Sequence, residues 1–268
     1  MNHTVVDTET SPAVLAQRDD RGVLTLTMNR PGSFNALSEE MLQALQAELD
    51  KAAKDEGLRV VVLAAAGKAF CPGHDLKQMV SQPELAYYQK LFAQCSRMML
   101  SIRNLSVPVI AKVQGMATAA GCQLVAQCDL AVAVDAARFA TSGIHYGLFC
   151  ATPAVPLSRN MGTKQAMEML LTGDFISAQE ALARGLVNRV VPAAELDTAV
   201  AELVKSIVQK PQTAVAMGKA MFYQQAEIGI AAAYQLAGQT MAVNMMDPAA
   251  QEGFLAFTEK RAPSWKTA

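Results

Sequence analysis

Gly67–Lys77 reads GKAFCPGHDLK and Gly115–Gln123 reads GMATAAGCQ, and these two stretches decide the fold class. Each follows a short and almost wholly apolar run, RVVVLAA at Arg59–Ala65 before the first and PVIAKV at Pro108–Val113 before the second. Apolar runs of this length bounded by glycine are typical of strands that are buried on both faces. Each stretch is therefore predicted to be the turn that leads from a buried strand into a helix.

The alternation of strand and helix continues on both sides of these turns. Val23–Met28 (VLTLTM) and Asp129–Val134 (DLAVAV) are predicted strands, and the apolar spacing of Glu84–Arg103 predicts a helix between them. After about residue 155 the sequence has few runs typical of strands. From Ala194 onward the alanine-rich chain is predicted to be helical. This order indicates an α/β core with crossover connections, followed by a helical region.

The composition excludes several classes of function. The 268 residues are 51% hydrophobic and 18% charged with a net charge of −1, so there is no basic field for nucleic acid or an anionic membrane surface. The five cysteines contain no C-x-x-C pair and the histidines number three, so we expect no metal site and a reducing compartment. The opening MNHTVVDTETSP lacks the pattern of a signal or transit peptide, and no apolar run is long enough to cross a membrane. A cytoplasmic protein is therefore expected.

Both glycine-bounded stretches could carry chemistry through their backbone. The first N–H groups of a helix have no partner within the helix and are free to bind an anion. Two such donors aimed at one point form an oxyanion hole, and the loss of one donor typically costs about 3–4 kcal/mol of barrier lowering. Either stretch taken alone is interpreted more simply as an ordinary tight turn.

Taken together, the two stretches resemble the paired loops of the enoyl-CoA hydratase/isomerase (crotonase) superfamily. In that family one loop reads roughly A-F-C-A-G-A-D-L-K and the other G-x-A-x-G-G-G-C-E-L. Further stretches match the family in register, and they are Asn29–Leu37, Pro108–Ala111, Cys128–Ala131, Leu171–Ala181, Gly185–Pro192 and Gly253–Arg261. The resemblance therefore covers nearly the whole chain, from about residue 18 to residue 262.

The resemblance implies an α/β fold, the crotonase (ClpP-like) spiral of ββα units. We accordingly expect a flexible tail over residues 1–14, a spiral core over residues 15–195 and a C-terminal helical trimerisation region over residues 196–268. The family also implies a coenzyme A thioester as substrate or ligand, no covalently bound cofactor, and a homotrimer or a dimer of trimers.

Site residues follow from the resemblance by position. The oxyanion donors are the N–H groups of His74 and Ala120, and Ala120 stands where the family usually has glycine. The N–H of Ala120 remains available provided that the backbone there does not need a positive φ. The positions that match coenzyme A-binding residues are Ser33, Phe34, Lys68, Asp75, Leu76 and Lys77, with Phe257 and Lys260 reaching the coenzyme A of a neighbouring subunit. Without the family, each lysine is interpreted more simply as a solvated surface charge.

The sequence departs from the family at both catalytic glutamates of a hydratase. Gln123 occupies the position of the first, and Gly143 occupies the position of the second. An amide orients a water molecule but does not accept its proton at neutral pH, and glycine does neither. General acid–base catalysis contributes about 10²–10⁴-fold per group. Efficient hydration is therefore not expected, and the isomerase route, which needs a carboxylate near the second position, is weakened as well.

Three side chains remain as candidates, and they are His74, His145 and Cys150. The G-H-D segment resembles the methylmalonyl-CoA decarboxylase branch of the family, although that branch carries a tyrosine where this chain has Cys150. His74 could equally point away from the site, His145 could face the core or solvent, and Cys150 could be a small buried hydrophobe. Together G-H-D, A-A-G-C-Q-L and G-L-F-C-x-T-P resemble the enoyl-CoA hydratase domain-containing proteins of vertebrate mitochondria.

Three functions stay open on the sequence. The first is enolate chemistry on an acyl-CoA, including a decarboxylase-like reaction. The second is non-catalytic binding of an acyl-CoA, and the third is an unrelated α/β protein that does not use coenzyme A.

Overall fold

The computed structural model describes residues 11–266, so the first ten residues of the predicted tail lie outside the described residues. The described part contains ten strands: β1 Val14–Arg18, β2 Val23–Met28, β3 Val60–Ala65, β4 Ala69–Cys71, β5 Val109–Val113, β6 Met116–Thr118, β7 Leu130–Val134, β8 Arg138–Ala140, β9 Ile176–Ser177 and β10 Arg189–Val191. It contains eleven α-helices: α1 Glu39–Ala52, α2 Leu76–Ser81, α3 Leu85–Asn104, α4 Ala120–Gln127, α5 Ala151–Asn160, α6 Thr163–Thr172, α7 Ala178–Ala183, α8 Leu196–Val208, α9 Gln212–Gln225, α10 Ile230–Met245 and α11 Pro248–Thr258.

The strands form two sheets that share a repeating step. The larger sheet has the order β1-β2-β3-β5-β7-β10 and the smaller sheet has the order β4-β6-β8-β9. The consecutive strands β3 and β4, β5 and β6, and β7 and β8 each contribute the first strand to the large sheet and the second to the small sheet. All pairings are parallel except β1 with β2 and β8 with β9. The repeat of strand, strand and helix confirms the predicted α/β class.

The prediction that each deciding stretch is a simple turn into a helix was incomplete. A three-residue strand lies inside each stretch, β4 in the first and β6 in the second, and the two pair in parallel with Ala69 opposite Met116 and Cys71 opposite Ala117. A strand of three residues is too short to show an alternating pattern of apolar and polar residues. They form because each supplies hydrogen-bonding partners to the other, and this pairing places the two turns side by side.

A single hydrophobic core lies between the large sheet and its helices. β3 is buried along almost its whole length, and α1 directs Leu42, Leu45 and Leu49 into the same core. The acidic first turn of α1 follows Ser38, whose side chain accepts a hydrogen bond from the N–H of Met41. The burial of these side chains fixes the positions of the turns at the ends of the strands.

Helix α8 packs on the core, although the sequence assigns it to the C-terminal region. Leu196, Ala199, Val200 and Val204 of α8 are all buried in the core cluster. The predicted boundary between residues 195 and 196 stays a prediction.

Helix α9 is attached to the core by a buried ion pair. The Lys219 ammonium donates to Asp129 Oδ2 at 2.7 Å and to the carbonyl of Val107 at 2.9 Å, and Tyr223 donates to the other carboxylate oxygen at 2.8 Å. The Lys219 and Asp129 side chains are 6% and 14% exposed. Burial lowers the pKa of Lys219, and the neighbouring Asp129 carboxylate opposes that shift. These hydrogen bonds to both charges compensate for their removal from water.

The last two helices expose most of their apolar side chains. Ala233 is the buried residue of α10 and Ala256 is the buried residue of α11. The large apolar side chains that this region exposes are Phe222, Ile228, Ile230, Tyr234, Met241, Val243, Met245, Met246, Phe254, Leu255 and Phe257. Across residues 11–266, no helix combines the length and apolar character needed to cross a bilayer.

Candidate functional site

The two deciding stretches touch at Gly73. A Cβ atom placed on Gly73 would lie 3.0 Å from the Cβ of Ala119 and 3.2 Å from the backbone nitrogen of Ala120. The φ angle of Gly73 is +103°, a conformation that residues with a side chain rarely adopt. Glycine at this position therefore allows the segment that carries His74 to approach the start of α4 directly.

The two predicted amide donors are unpaired at this contact. Ala120 is the first residue of α4, so its N–H has no acceptor within the helix. Within residues 11–266, neither the N–H of Ala120 nor the N–H of His74 donates a hydrogen bond to a backbone carbonyl or a side chain. Two free amides therefore lie on segments that are in van der Waals contact.

A positive φ occurs at Ala119 and not at Ala120, the residue whose N–H is the predicted donor. Ala119 has φ 47° and ψ −120°, whereas Ala120 is helical. A non-glycine residue in such a conformation costs about 1–3 kcal/mol and persists only where its surroundings hold it. The N–H of Ala119 donates to the carbonyl of Ala140 at 2.9 Å, which ties the strained residue to β8.

Side-chain hydroxyl groups connect the segments around this contact. Thr118, which is 5% exposed, donates from Oγ1 to the carbonyl of Pro72 at 3.3 Å, and its Oγ1 lies 3.0 Å from Oγ of Ser142. On the other side, Gly121 packs on β4 so closely that a Cβ there would lie 2.1 Å from the carbonyl oxygen of Cys71. Sequence reasoning missed Thr118 and Ser142, because a single hydroxyl in a turn carries no spacing signal.

His74 is held as a neutral ring. Its Nδ1 lies 3.3 Å from the carbonyl oxygen of Leu37, and its ring packs edge-on against Phe92 with centroids 5.5 Å apart. Burial lowers the pKa of His74, and the hydrogen bond to Leu37 partly opposes the shift. Its Nε2 is buried and has no partner among residues 11–266. The His74 ring therefore packs against Leu37 and Phe92, and a role for the ring in the site stays a prediction.

The side-chain oxygen of Gln123 is a second buried atom without a hydrogen-bond partner among residues 11–266. The residue lies one turn into α4, its side chain is buried with the residue 3% exposed, and its Oε1 has no hydrogen-bond partner among the residues described. The sequence predicts that this position lines the pocket. A buried amide oxygen left unpaired by the protein is suited to a donor supplied by a ligand or by water.

Gly143 has no room for a side chain. A Cβ placed there would lie 2.6 Å from the carbonyl oxygen of Leu148 and 2.8 Å from Sγ of Cys150. Cys150 is 6% exposed, burial raises the pKa of its thiol, and the adjacent backbone of Gly143 partly opposes that shift. Cys150 is therefore a protonated thiol at neutral pH, which is a poor nucleophile.

His145 lies beside the end of α6. It is exposed, and its Nε2 lies 2.9 Å from the position that a Cβ on Gly173 would take. Gly173 follows α6, so the ring packs toward that helix end.

Phe34 and Lys68, two of the predicted coenzyme A residues, come together at the surface. The Lys68 ammonium lies 5.4 Å from the centroid of the Phe34 ring, a cation–π contact. Phe34 follows a short 3-10 helix, Pro31–Ser33, with φ 55°, and Ser33 donates from Oγ to the carbonyl of Arg30 at 3.2 Å. An exposed cation beside an aromatic face is suited to a phosphorylated nucleotide.

The residues after His74 have a structural role that the sequence assignment did not include. Asp75 is the N-cap of α2 and accepts hydrogen bonds from the N–H groups of Lys77 at 2.8 Å and Gln78 at 3.3 Å. Leu76 is 59% exposed and Lys77 is exposed. Oδ1 of Asp75 therefore caps the backbone of its own helix.

The C-terminal candidates lie on a different part of the chain. Phe257 is 81% exposed near the end of α11, and Lys260 follows that helix with φ 55°. Among the contacts described, none brings either residue to the Gly73 contact. Within residues 11–266 there is also no group of three or more histidine, cysteine or acidic side chains arranged to hold a metal ion.

The sequence analysis also missed an aromatic row on α3. Tyr88 and Phe92 are four residues apart and stack with centroids 6.5 Å apart, and Phe92 contacts the His74 ring. The i, i+4 spacing of two aromatic residues was the available signal. The apolar stripe of α3 at Leu91 and Cys95 obscured it, because that stripe marks the core face of the same helix.

Comparison with known proteins agrees with this arrangement. The profile of the enoyl-CoA hydratase/isomerase family matches residues 18–268. The chain belongs to the crotonase family. It is 44% identical over 257 residues to the mitochondrial enoyl-CoA hydratase domain-containing protein 3 of Rattus norvegicus, covering 96% of this chain and 86% of the relative.

Solved crotonase structures confirm the predicted fold. The crystal structure of an enoyl-CoA hydratase of Mycobacterium smegmatis is 60% identical, with a TM-score of 0.94 over 96% of this chain and 100% of that one. Human enoyl-CoA hydratase domain-containing protein 3 is 44% identical, with a TM-score of 0.91 over 94% of this chain and 100% of that one. The vertebrate relatives are named as mitochondrial, so the cytoplasmic location expected for this chain stays a prediction.

Proposed function

We propose that this crotonase binds an acyl-CoA thioester with the carbonyl oxygen between the N–H groups of His74 and Ala120. The observation that carries the proposal is the contact of Gly73 with Ala119 and Ala120, which brings two unpaired amides onto touching segments. Such a pair stabilises the negative charge that develops on a thioester oxygen when an enolate forms, at about 3–4 kcal/mol per donor. Membership of the enoyl-CoA hydratase/isomerase family supports an acyl-CoA as the ligand.

Efficient hydration of an enoyl-CoA is not part of the proposal. Gln123 and Gly143 stand at the positions of the two hydratase glutamates, and neither accepts a proton from water at neutral pH. A side chain at Gly143 would also collide with the carbonyl oxygen of Leu148 and with Sγ of Cys150. Chemistry that needs an enolate more than a strong base, such as a decarboxylase-like reaction, fits the residues better.

Non-catalytic binding of an acyl-CoA is the second candidate. It is favoured by the same neutral residues and by the Cys150 thiol, whose pKa burial raises. A panel of enoyl-, malonyl-type and β-hydroxyacyl-CoA thioesters separates the two candidates. Tight binding without turnover of any member would support binding alone.

The nucleotide end of coenzyme A is assigned to Phe34, Lys68 and Lys77. The cation–π contact of Lys68 with Phe34 and the exposure of both lysines support this assignment. The exposed apolar surfaces of α10 and α11 support assembly into trimers, in which Phe257 and Lys260 would reach the ligand of a neighbouring subunit. Large apolar side chains exposed together in one patch usually mark an interaction surface.

Paired replacements of His74 test the oxyanion hole. Both His74→Ala and His74→Pro remove the ring, but only proline removes the N–H as well. The affinity for acetoacetyl-CoA, which enolises readily, should fall about 10²–10³-fold more in His74→Pro than in His74→Ala. Calorimetry on both variants measures the difference, and thermal melting checks that both fold. Equal affinities in the two folded variants would rule out the His74 amide as a donor.

A further inference from the structure

One buried side chain, Asn35, joins the turn that carries Phe34 to the turn that carries Lys68. Asn35 is 0% exposed, and its Nδ2 donates hydrogen bonds to the carbonyl oxygens of Ala66 at 2.9 Å and Ala69 at 3.0 Å. These two carbonyls come before and after Lys68 in the chain. The Asn35 amide therefore holds both ends of the turn from which the Lys68 side chain extends.

The remaining polar groups of Asn35 fix its own turn. Its Oδ1 accepts a hydrogen bond from the N–H of Arg30 at 2.9 Å, and its backbone N–H donates to the carbonyl of Arg30 at 2.8 Å. Phe34 and Asn35 both have a left-handed backbone, with φ angles of 55° and 62°. Asparagine adopts this conformation more readily than most residues that carry a side chain. The same residue therefore shapes the Phe34 turn and ties it to the Lys68 turn.

The two turns also touch directly. Gly67 has φ +80°, and a Cβ placed on it would lie 2.8 Å from the Cβ of Pro31. Gln114 holds the Lys68 turn from a second side, because its Nε2 donates to the carbonyl of Gly67 at 3.1 Å. With its backbone held in this way, Lys68 directs its ammonium to the Phe34 ring, 5.4 Å from the ring centroid.

We propose that Asn35 is a positioning residue for the nucleotide end of coenzyme A and acts through Phe34 and Lys68. The inference rests on the assignment of those two residues in the proposed function. A cation–π contact requires the cation to lie over the ring face, so it depends on how the two turns are placed. Loss of the Asn35 amide separates the turns, and the ammonium and the ring then no longer present one surface to an anionic nucleotide.

Replacement of Asn35 by glycine tests this role, because Asn35→Gly removes the amide and keeps the left-handed backbone without strain. Free coenzyme A should bind about three- to five-fold more weakly by calorimetry. Acetoacetyl-pantetheine, a thioester without the nucleotide, should bind within about two-fold of the wild type. Asn160→Ala is the matched control, because Nδ2 of Asn160 also donates to two carbonyls, those of Ala126 and Pro156. It should leave both affinities unchanged.

A double-mutant cycle shows whether Asn35 acts through Lys68. Lys68→Ala should weaken binding of coenzyme A about three- to five-fold in the wild type. In Asn35→Gly the same change should cost less than about two-fold, because the ammonium is already displaced. Gly67→Ala displaces the Lys68 turn by collision with Pro31 and should give the same pattern. This second background keeps the test available if Asn35→Gly does not fold.

The outcomes separate this inference from the proposed function. An equal effect of Lys68→Ala in the wild type, Asn35→Gly and Gly67→Ala would overturn the positioning role and leave acyl-CoA binding intact. Equal weakening of coenzyme A and acetoacetyl-pantetheine by Asn35→Gly would overturn it as well. A Lys68→Ala protein that binds coenzyme A as tightly as the wild type would overturn the assignment of the nucleotide end. Failure of both ligands to bind the folded wild-type protein would overturn the proposed function itself.

Discussion

Replacing Gly73 by alanine places a methyl group at the contact between the two segments of the proposed oxyanion hole. The new Cβ would lie 3.0 Å from the Cβ of Ala119 and 3.2 Å from the nitrogen of Ala120, distances that require the neighbours to move by a few tenths of an ångström. The φ of +103° adds backbone strain that glycine avoids. Strain of this kind costs about 1–3 kcal/mol, so the free energy of unfolding should fall by that amount.

The same methyl group should affect binding more than stability. Because it covers the Ala120 nitrogen, it removes one donor from the hole, and the affinity for acetoacetyl-CoA should fall about 10²–10³-fold. The affinity for free coenzyme A, which has no thioester carbonyl, should change by less than about three-fold. Urea unfolding measures the first effect and calorimetry with the two ligands measures the second.

Gly218→Ala is the control for the glycine replacement. A Cβ on Gly218 would meet no atom within 4 Å, and the residue lies inside α9. The control should bind both ligands as the wild type does and be more stable by up to about 1 kcal/mol. A folded Gly73→Ala protein that binds acetoacetyl-CoA as tightly as the wild type would refute the convergence of the two amides.

Three further perturbations test the remaining parts of the structure. Lys68→Ala should weaken binding of free coenzyme A about three- to five-fold at low salt and less at high salt, which calorimetry at two ionic strengths measures. Burial lowers the pKa of His74, so the unfolded chain binds its proton more readily, and the free energy of unfolding should fall as pH drops below about 6.5. Urea unfolding at pH 7.5 and 5.5 should show a smaller loss in His74→Phe than in the wild type, and equal losses would contradict the assignment. Asp129→Asn leaves the Lys219 ammonium buried without its counter-charge and should cost about 3–5 kcal/mol in the free energy of unfolding, whereas a loss below about 1 kcal/mol would show the pair to be dispensable.

The regular part of the fold was predictable because its signals are local. The β-branched run VLTLTM is β2 at the residues predicted, and the helix expected over Glu84–Arg103 is α3 with a shift of one residue. Helix α5 was missed because it contains Pro153 and Pro156, and proline normally indicates that a helix has ended. Strands β4 and β6 were missed by pattern because their stability comes from partners distant in the sequence.

The assignment of the site residues stays a prediction, and the detailed surroundings of those residues were not predictable from the sequence. The sequence gives no sign that Leu148 and Cys150 fill the space that a side chain at Gly143 would need, because these contacts depend on how the segment folds back. The strained residue is Ala119 rather than Ala120, because the start of α4 sets where the chain must reverse. Hydrogen bonds such as that from Thr118 to Pro72 depend on the approach of separate segments, which no local pattern encodes.

The buried pair formed by Lys219 and Asp129 makes the last part of the chain inseparable from the rest. A protein shortened to end before Gln212 would lack α9 and would leave the Asp129 carboxylate with the Val109 amide but without its cation. A buried carboxylate without its cation is unfavourable. Strands β5 and β7, which lie next to Asp129, should therefore be less stable. The helices that carry the surface proposed for assembly therefore cannot be removed without exposing the Asp129 carboxylate. Any change that displaces α9 should also destabilise the sheet next to the proposed acyl-CoA site.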